Sequence, residues 1–175
     1  MSLIDRLFHH NRPREALIPL YRGIVERGRD AQWYAQGGVP DTQDGRFDMI
    51  AAILALTLLR IEGEGRTYAS QSALLAEVFI DDMDGQLRQL GIGDIVVGKH
   101  IGKMLSALGG RLEAYREGFA EGGNAEEALL RNLYRGEAPE QDEASFTTSR
   151  LEAFAKALEK EPADAIIAGT LPALA

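Results

Sequence analysis

The chain has no cysteine, which excludes a disulfide framework, a thiolate zinc site and a cysteine nucleophile together. It also lacks a basic surplus: 19 Lys and Arg stand against 27 Asp and Glu, a formal net charge of −8. Phosphate neutralisation supplies most of the affinity of nucleic-acid binders, so no direct nucleic-acid partner is expected. Long hydrophobic runs are missing. The longest, Met49 to Leu59, is broken only by Thr57 and reaches about half the length of a membrane-crossing helix. The opening MSLIDRLFHHNRPR has neither the apolar stretch nor the cleavage site of a secretory signal. No alternating segments bounded by hairpin turns announce strands. Nucleophile elbows and phosphate loops are missing too, and the glycines never fall into G-x-G-x-x-G after a strand.

What remains is helical periodicity. Apolar residues make up 45% of 175 residues, enough for one substantial core. From Pro13 to Arg27, Leu17, Leu20, Tyr21, Ile24 and Val25 share one helix face. Pro13 suits the first turn and Gly28 the stop. A short segment, Ala31 to Tyr34, precedes the breaker Gly37-Gly38-Val39-Pro40. A long helix from about Asp41 to Glu62 is apolar nearly all round, which marks it as central; Asp41 is the expected cap and Asp44 lies in the positive first turn. Further helices are expected over Ser70–Leu90, over the glycine-interrupted stretch ending near Tyr115, and over Ala125–Tyr134. A last one starts near Ser149, where Ser149 and Glu152 have capping-box spacing. Close helix approach or a bend would account for Gly102, Gly109 and Gly110. The expected fold is an all-α, single-domain bundle of about six to seven helices. Its parts are an amphipathic segment (1–12), the helical domain (13–161) and an apolar tail (162–175) that docks as a short turn or stays loose.

Asp81-Asp82-Met83-Asp84 has the look of a magnesium site. Prenyl-diphosphate enzymes use aspartate-rich helices for it, but the spacing here is D-D-x-D, a second aspartate cluster is missing, and the chain is short for such an enzyme. Aligned as an EF-hand on Gly85, the sequence puts Ile80 and Gly91 where oxygen ligands belong. No metal and no cofactor is therefore expected. At 100° per residue, Asp81 and Asp84 share a polar face with Glu77 and Arg88, and Asp84 and Arg88 are spaced for a weak surface pair. Asp82 falls among Leu75, Val78 and Phe79, so it is expected to be buried and paired, with Arg46 or Arg131 as partner. Asn132 is read as bracing a turn or standing on an exposed face. His9 and His10 diverge on a helix and His100 stands alone, so solvated histidines are expected. Leu3, Ile4, Leu7 and Phe8 beside Arg6, Arg12 and Arg14 form a short apolar face that docks on the domain or touches an anionic membrane.

Several segments in order match one family pattern. Trp33-Tyr34 stands before the glycine-rich turn, then come Asp41-Thr42-Gln43-Asp44-Gly45-Arg46-Phe47 and a helix ending Leu58-Leu59-Arg60. Phe79-Ile80-Asp81-Asp82-Met83-Asp84, Arg88-Gln89-Leu90-Gly91, Ala114-Tyr115-Arg116-Glu117-Gly118 and Leu130-Arg131-Asn132-Leu133-Tyr134 follow. The ordered set, over roughly Leu17 to Leu158, resembles the ubiquinol–cytochrome c chaperone family. The resemblance implies a non-enzymatic chaperone that holds newly made cytochrome b before ubiquinol–cytochrome c reductase is assembled. Its mitochondrial members associate with the mitochondrial ribosome. With no mitochondrial presequence, the expected source is bacterial and the expected place the cytoplasm, at most peripheral to the inner membrane. The expected partners are cytochrome b or another apolar membrane-protein segment, and a second assembly factor. An apolar guest helix needs a groove, for which Trp33, Tyr34, Phe47, Ile50, Leu54 and Phe79 are the candidate lining. Asp41, Asp44, Arg46, Asp82, Arg131 and Asn132 are the candidate polar residues that hold the fold or orient the guest. Two other functions compete: a generic all-α adaptor, and a small metal-dependent enzyme acting through Asp81–Asp84.

Overall fold

A computed structural model describes residues 13–89 and 94–174, without the side chains of residues 84, 86–89, 94–101 and 103. The expectations for segment 1–12, the three histidines and the Asp84–Arg88 pair lie outside the described residues. The helices are α1 (Ile18–Gly28), α2 (Ala31–Ala35), α3 (Gln43–Glu62), α4 (Ala69–Gln89), α5 (Asp94–Gly118), α6 (Ala125–Asn132), α7 (Gln141–Lys160) and α8 (Ala163–Ile167). A 3₁₀ turn, Gly65–Tyr68, links α3 to α4, and no strand occurs among the described residues. The fold is an all-α, single-domain bundle.

α3 is the axis of the bundle. It packs against α1, α4, α5 and α7, and Met49 to Leu58 is buried along its whole circumference. That follows from a sequence with no polar stripe in the helix interior. α1 crosses it closely because Gly28 has no side chain: a Cβ there would sit 2.8 Å from the Ile50 Cα. α6 closes the far side against α5 and α7. The C-terminal tail folds back onto α1, where Arg27 donates to the carbonyls of Leu171 (2.6 Å) and Pro172 (2.7 Å).

Three helix ends differ from expectation. The helix expected from Pro13 is interrupted: Pro13 to Glu15 is helical, Ala16 and Leu17 form a turn, and α1 starts at Ile18, because Pro19 has no N–H to donate and its ring obstructs the preceding turn. α3 is capped by Thr42 and not Asp41: the Thr42 hydroxyl accepts the Gly45 N–H at 3.1 Å, while Asp41 is held by Arg46 at 2.7 Å. α7 starts at Gln141, and Ser149 stands in its interior. There the Glu143 carboxylate accepts the Glu140 N–H at 3.0 Å, and Asp142 and Glu143 favour the positive first turn. Gly102, Gly109 and Gly110 of α5 have open space around them, so close helix approach does not explain them.

Candidate functional site

Two clefts open on one side of the bundle. The first, about 790 Å³, lies between α1 and α4, over Ile18, Tyr21, Val25 and Val78, with Arg14, Glu15, Arg22, Glu26, Arg29, Asp81 and Asp82 around it. The second, about 510 Å³, lies where the first turns of α3 meet α4 and α5. Its floor is Phe47, Ile50, Met83 and Met104, and its rim is Arg29, Asp41, Asp44, Arg46 and Arg135. Leu105 is 47% exposed on α5 next to Met104. Two flexible, polarisable methionines beside a ring suit a surface that adapts to different apolar partners.

The floor of the second cleft is braced from below. Phe47 packs on Phe79 with ring centroids 5.5 Å apart, and the Arg111 guanidinium lies 5.5 Å from the Phe47 centroid. Arg111 also binds Asp48 at 2.5 Å, and Arg135 binds the other Asp48 oxygen at 2.6 Å while reaching Asp44 at 2.6 Å. Asp48 has no solvent exposure. Burial pushes its carboxyl above the usual carboxylate range, against the pull of both guanidiniums. Arg135 holds its proton more tightly because of the same hydrogen bond. It does so at φ +54°, a left-handed conformation unusual for a residue with a side chain.

The aromatic candidates divide by depth. Trp33 is fully buried, as are Leu54 and Phe79, and Ile50 is 2% exposed. Trp33 donates from Nε1 to the Arg27 carbonyl at 2.7 Å, and Tyr34 donates its O–H to the Gly28 carbonyl at 2.7 Å. These two rings therefore finish the C-terminus of α1, where helix carbonyls have no partner of their own. One face of Trp33 meets Arg150, whose guanidinium lies 4.4 Å from the ring centroid. Half-buried Tyr34 and Phe47 reach the surface, Phe47 into the second cleft. Burial pushes the Tyr34 hydroxyl above its ordinary value.

The polar candidates sit mostly at the surface. Asp82 is exposed, contrary to expectation, and accepts the Tyr21 O–H at 2.7 Å. It stands at the edge of the buried stripe Leu75, Val78, Phe79 and Met83, where a buried ring with a polar tip reaches it. Arg46 pairs with Asp41 and Arg131 with Glu127, so each is engaged within its own neighbourhood. Asn132 donates to the Ala128 carbonyl one turn back at 2.9 Å. Arg14 holds Asp81. Among the described residues no three His, Asp or Glu side chains gather as a ligand set. No described helix is long and apolar enough to cross a membrane.

Sequence reading missed Asp48, Arg111, Arg135, Met83 and Met104. Asp48 left one signal, a lone carboxylate one turn after Asp44 inside an otherwise apolar helix. The partners from distant segments left none.

The model of the family described as Ubiquinol-cytochrome C chaperone matches residues 35–173. A search among curated proteins found no match. The crystal structure of the Cbp3 homolog from Brucella abortus superposes with a TM-score of 0.79 at 28% sequence identity, covering 97% of this chain and 95% of that one. The match runs through α3, through Phe47, Ile50, Met83 and Met104 of the second cleft, and through the α5–α7 frame: the chain belongs to the ubiquinol–cytochrome c chaperone family.

Proposed function

We propose that this chain is a binding protein that holds newly made cytochrome b before it joins ubiquinol–cytochrome c reductase. The guest's apolar segment seats on Phe47, Ile50, Met83 and Met104. The observation that carries this reading is the second cleft, an apolar methionine-walled floor left open in a family of chaperones. An apolar helix laid there is shielded from water without lipid. Of the six lining residues expected from sequence, Phe47 and Ile50 meet the guest, Phe79 packs behind Phe47, Leu54 is core, and Trp33 and Tyr34 finish the C-terminus of α1. A second assembly factor and a peripheral contact with the inner membrane belong to the same role.

The experiment is co-purification from cells that make the reductase. Tagged wild-type protein is expected to bring down cytochrome b, and deletion of the chain to deplete assembled reductase. Met104→Glu puts a carboxylate on the half-buried cleft wall and is expected to lose cytochrome b while keeping its helical circular dichroism. No cytochrome b with the wild type, together with normal reductase in the deletion, would leave a generic adaptor.

A further inference from the structure

The two clefts meet at Arg29. It lines both, and it also lines the recess beside Tyr34 and Asp41. Arg29 is the C-cap of α1, and the Tyr34 hydrogen bond to the Gly28 carbonyl fixes the backbone just before it. The other cations of the second cleft are taken: Arg46 by Asp41, Arg135 by Asp44 and Asp48. Arg14, which lines the first cleft, is taken by Asp81, and Arg22 lines the first cleft but not the second. The Arg29 side chain is exposed, and its guanidinium makes no hydrogen bond or ion pair among the described residues.

A guanidinium offers five donors and no acceptor, and its planar fork matches a carboxylate. With the rest of the rim paired off, Arg29 is the charge a guest meets unneutralised at the mouth of an apolar floor. An apolar guest that covers the cleft also removes water from around Arg29, which strengthens a charge pair formed there. A guest cation at the same place would face repulsion, and a neutral guest would leave the guanidinium partly desolvated without a partner.

We propose that Arg29 selects guests that carry a carboxylate. The apolar segment seated on Phe47, Ile50, Met83 and Met104 presents an Asp or Glu to Arg29 where the two clefts join. This rests on the reading of the second cleft as the guest site.

The test uses the full chain and two synthetic 20-residue apolar peptides differing only in Glu or Gln at the central position. Both carry a fluorophore and are kept monomeric in dodecyl maltoside, and affinity is read by anisotropy. The Glu peptide is expected to bind about five- to tenfold more tightly than the Gln peptide. Arg29→Gln should bring the ratio to about one without weakening the Gln peptide. Arg29→Glu should reverse the preference, so that the Gln peptide binds more tightly than the Glu peptide. If both peptides bind wild type equally, or if the ratio survives Arg29→Gln, the carboxylate proposal is overturned and the guest cleft stands. If neither peptide binds, or if Met104→Glu leaves binding intact, the cleft reading is overturned along with it. If Arg29→Gln lowers only the melting temperature, Arg29 serves the C-terminal dipole of α1 and the proposal fails.

Discussion

At the residue scale, the group of Asp30, Arg150 and Trp33 shows how a charge is spent on structure. Asp30 caps α2 by accepting the Gln32 N–H at 2.9 Å, and it faces Arg150 at 3.3 Å. Arg150 is buried and its guanidinium lies over the Trp33 ring. Desolvation pushes the Asp30 carboxyl up, but the Gln32 N–H and the Arg150 guanidinium together hold it below the ordinary value. A carboxyl lowered on folding stabilises above its unfolded value, about 3.9, and that contribution is lost as pH falls through the lower folded value. Asp30→Asn is therefore expected to be less stable than wild type at pH 6, with the gap closing as pH falls below about 4. Urea unfolding at a series of pH values measures it. A gap that stays constant into acid would show that the ionised carboxylate contributes nothing beyond the cap. The same group explains why Trp33 reads ambiguously in sequence. A tryptophan before a glycine turn looks like a binding ring, and only the positions of Arg27 and Arg150 show its N–H and one of its faces already engaged.

At the element scale, α5 keeps glycines that its packing does not require. Gly109 and Gly110 are exposed and helical, and a methyl group at either would meet nothing within 4 Å. Each lowers helix stability by about 1 kcal/mol relative to alanine. Gly109→Ala and Gly110→Ala are each expected to raise unfolding free energy by about 0.5–1 kcal/mol, additively in the double variant, as measured by chemical denaturation. A loss of stability would mean that α5 needs its glycines for a bend. Elements of this kind were legible in the sequence wherever the apolar pattern was long: α3 announced itself as central because Met49 to Leu59 leaves no polar face. Boundaries were less legible, because they turn on single atoms. Pro19 lacks one N–H, Thr42 and not Asp41 offers its oxygen to Gly45, and Glu143 and not Ser149 organises the start of α7. The cleft was half legible. Phe47 and Ile50 come from the recognisable segment at the head of α3, whereas Met83, Met104 and Arg135 arrive from three other segments by folding alone.

At the scale of the whole molecule, Asp48 ties the axis to its surroundings. Its two oxygens join α3 to α5 through Arg111 and to the loop after α6 through Arg135. Arg135 adopts its left-handed backbone while gripping Asp48 and Asp44. Burial penalises the Asp48 carboxylate itself, which offsets part of any loss, but removing the charge leaves Arg111, which is mostly buried, facing a neutral amide, and breaking a buried pair on one side costs about 3–5 kcal/mol. Asp48→Asn is thus expected to lose about 3 kcal/mol in denaturant unfolding. Asp44→Asn, which removes an exposed pair to the same Arg135, should lose well under 1 kcal/mol. The contrast separates burial from charge count, since each change deletes one carboxylate facing one shared arginine. Native-state hydrogen exchange should then show α5 losing protection ahead of α3 and α7 in Asp48→Asn, because α3 keeps its contacts with α1, α4 and α7 whereas α5 loses its charged tie to the axis. Uniform loss of protection across all helices would instead mean that Asp48 stabilises the bundle only globally. In that case the floor of the cleft, joined to Asp48 through Arg111 and Phe47, would have no independent freedom to adapt to a guest.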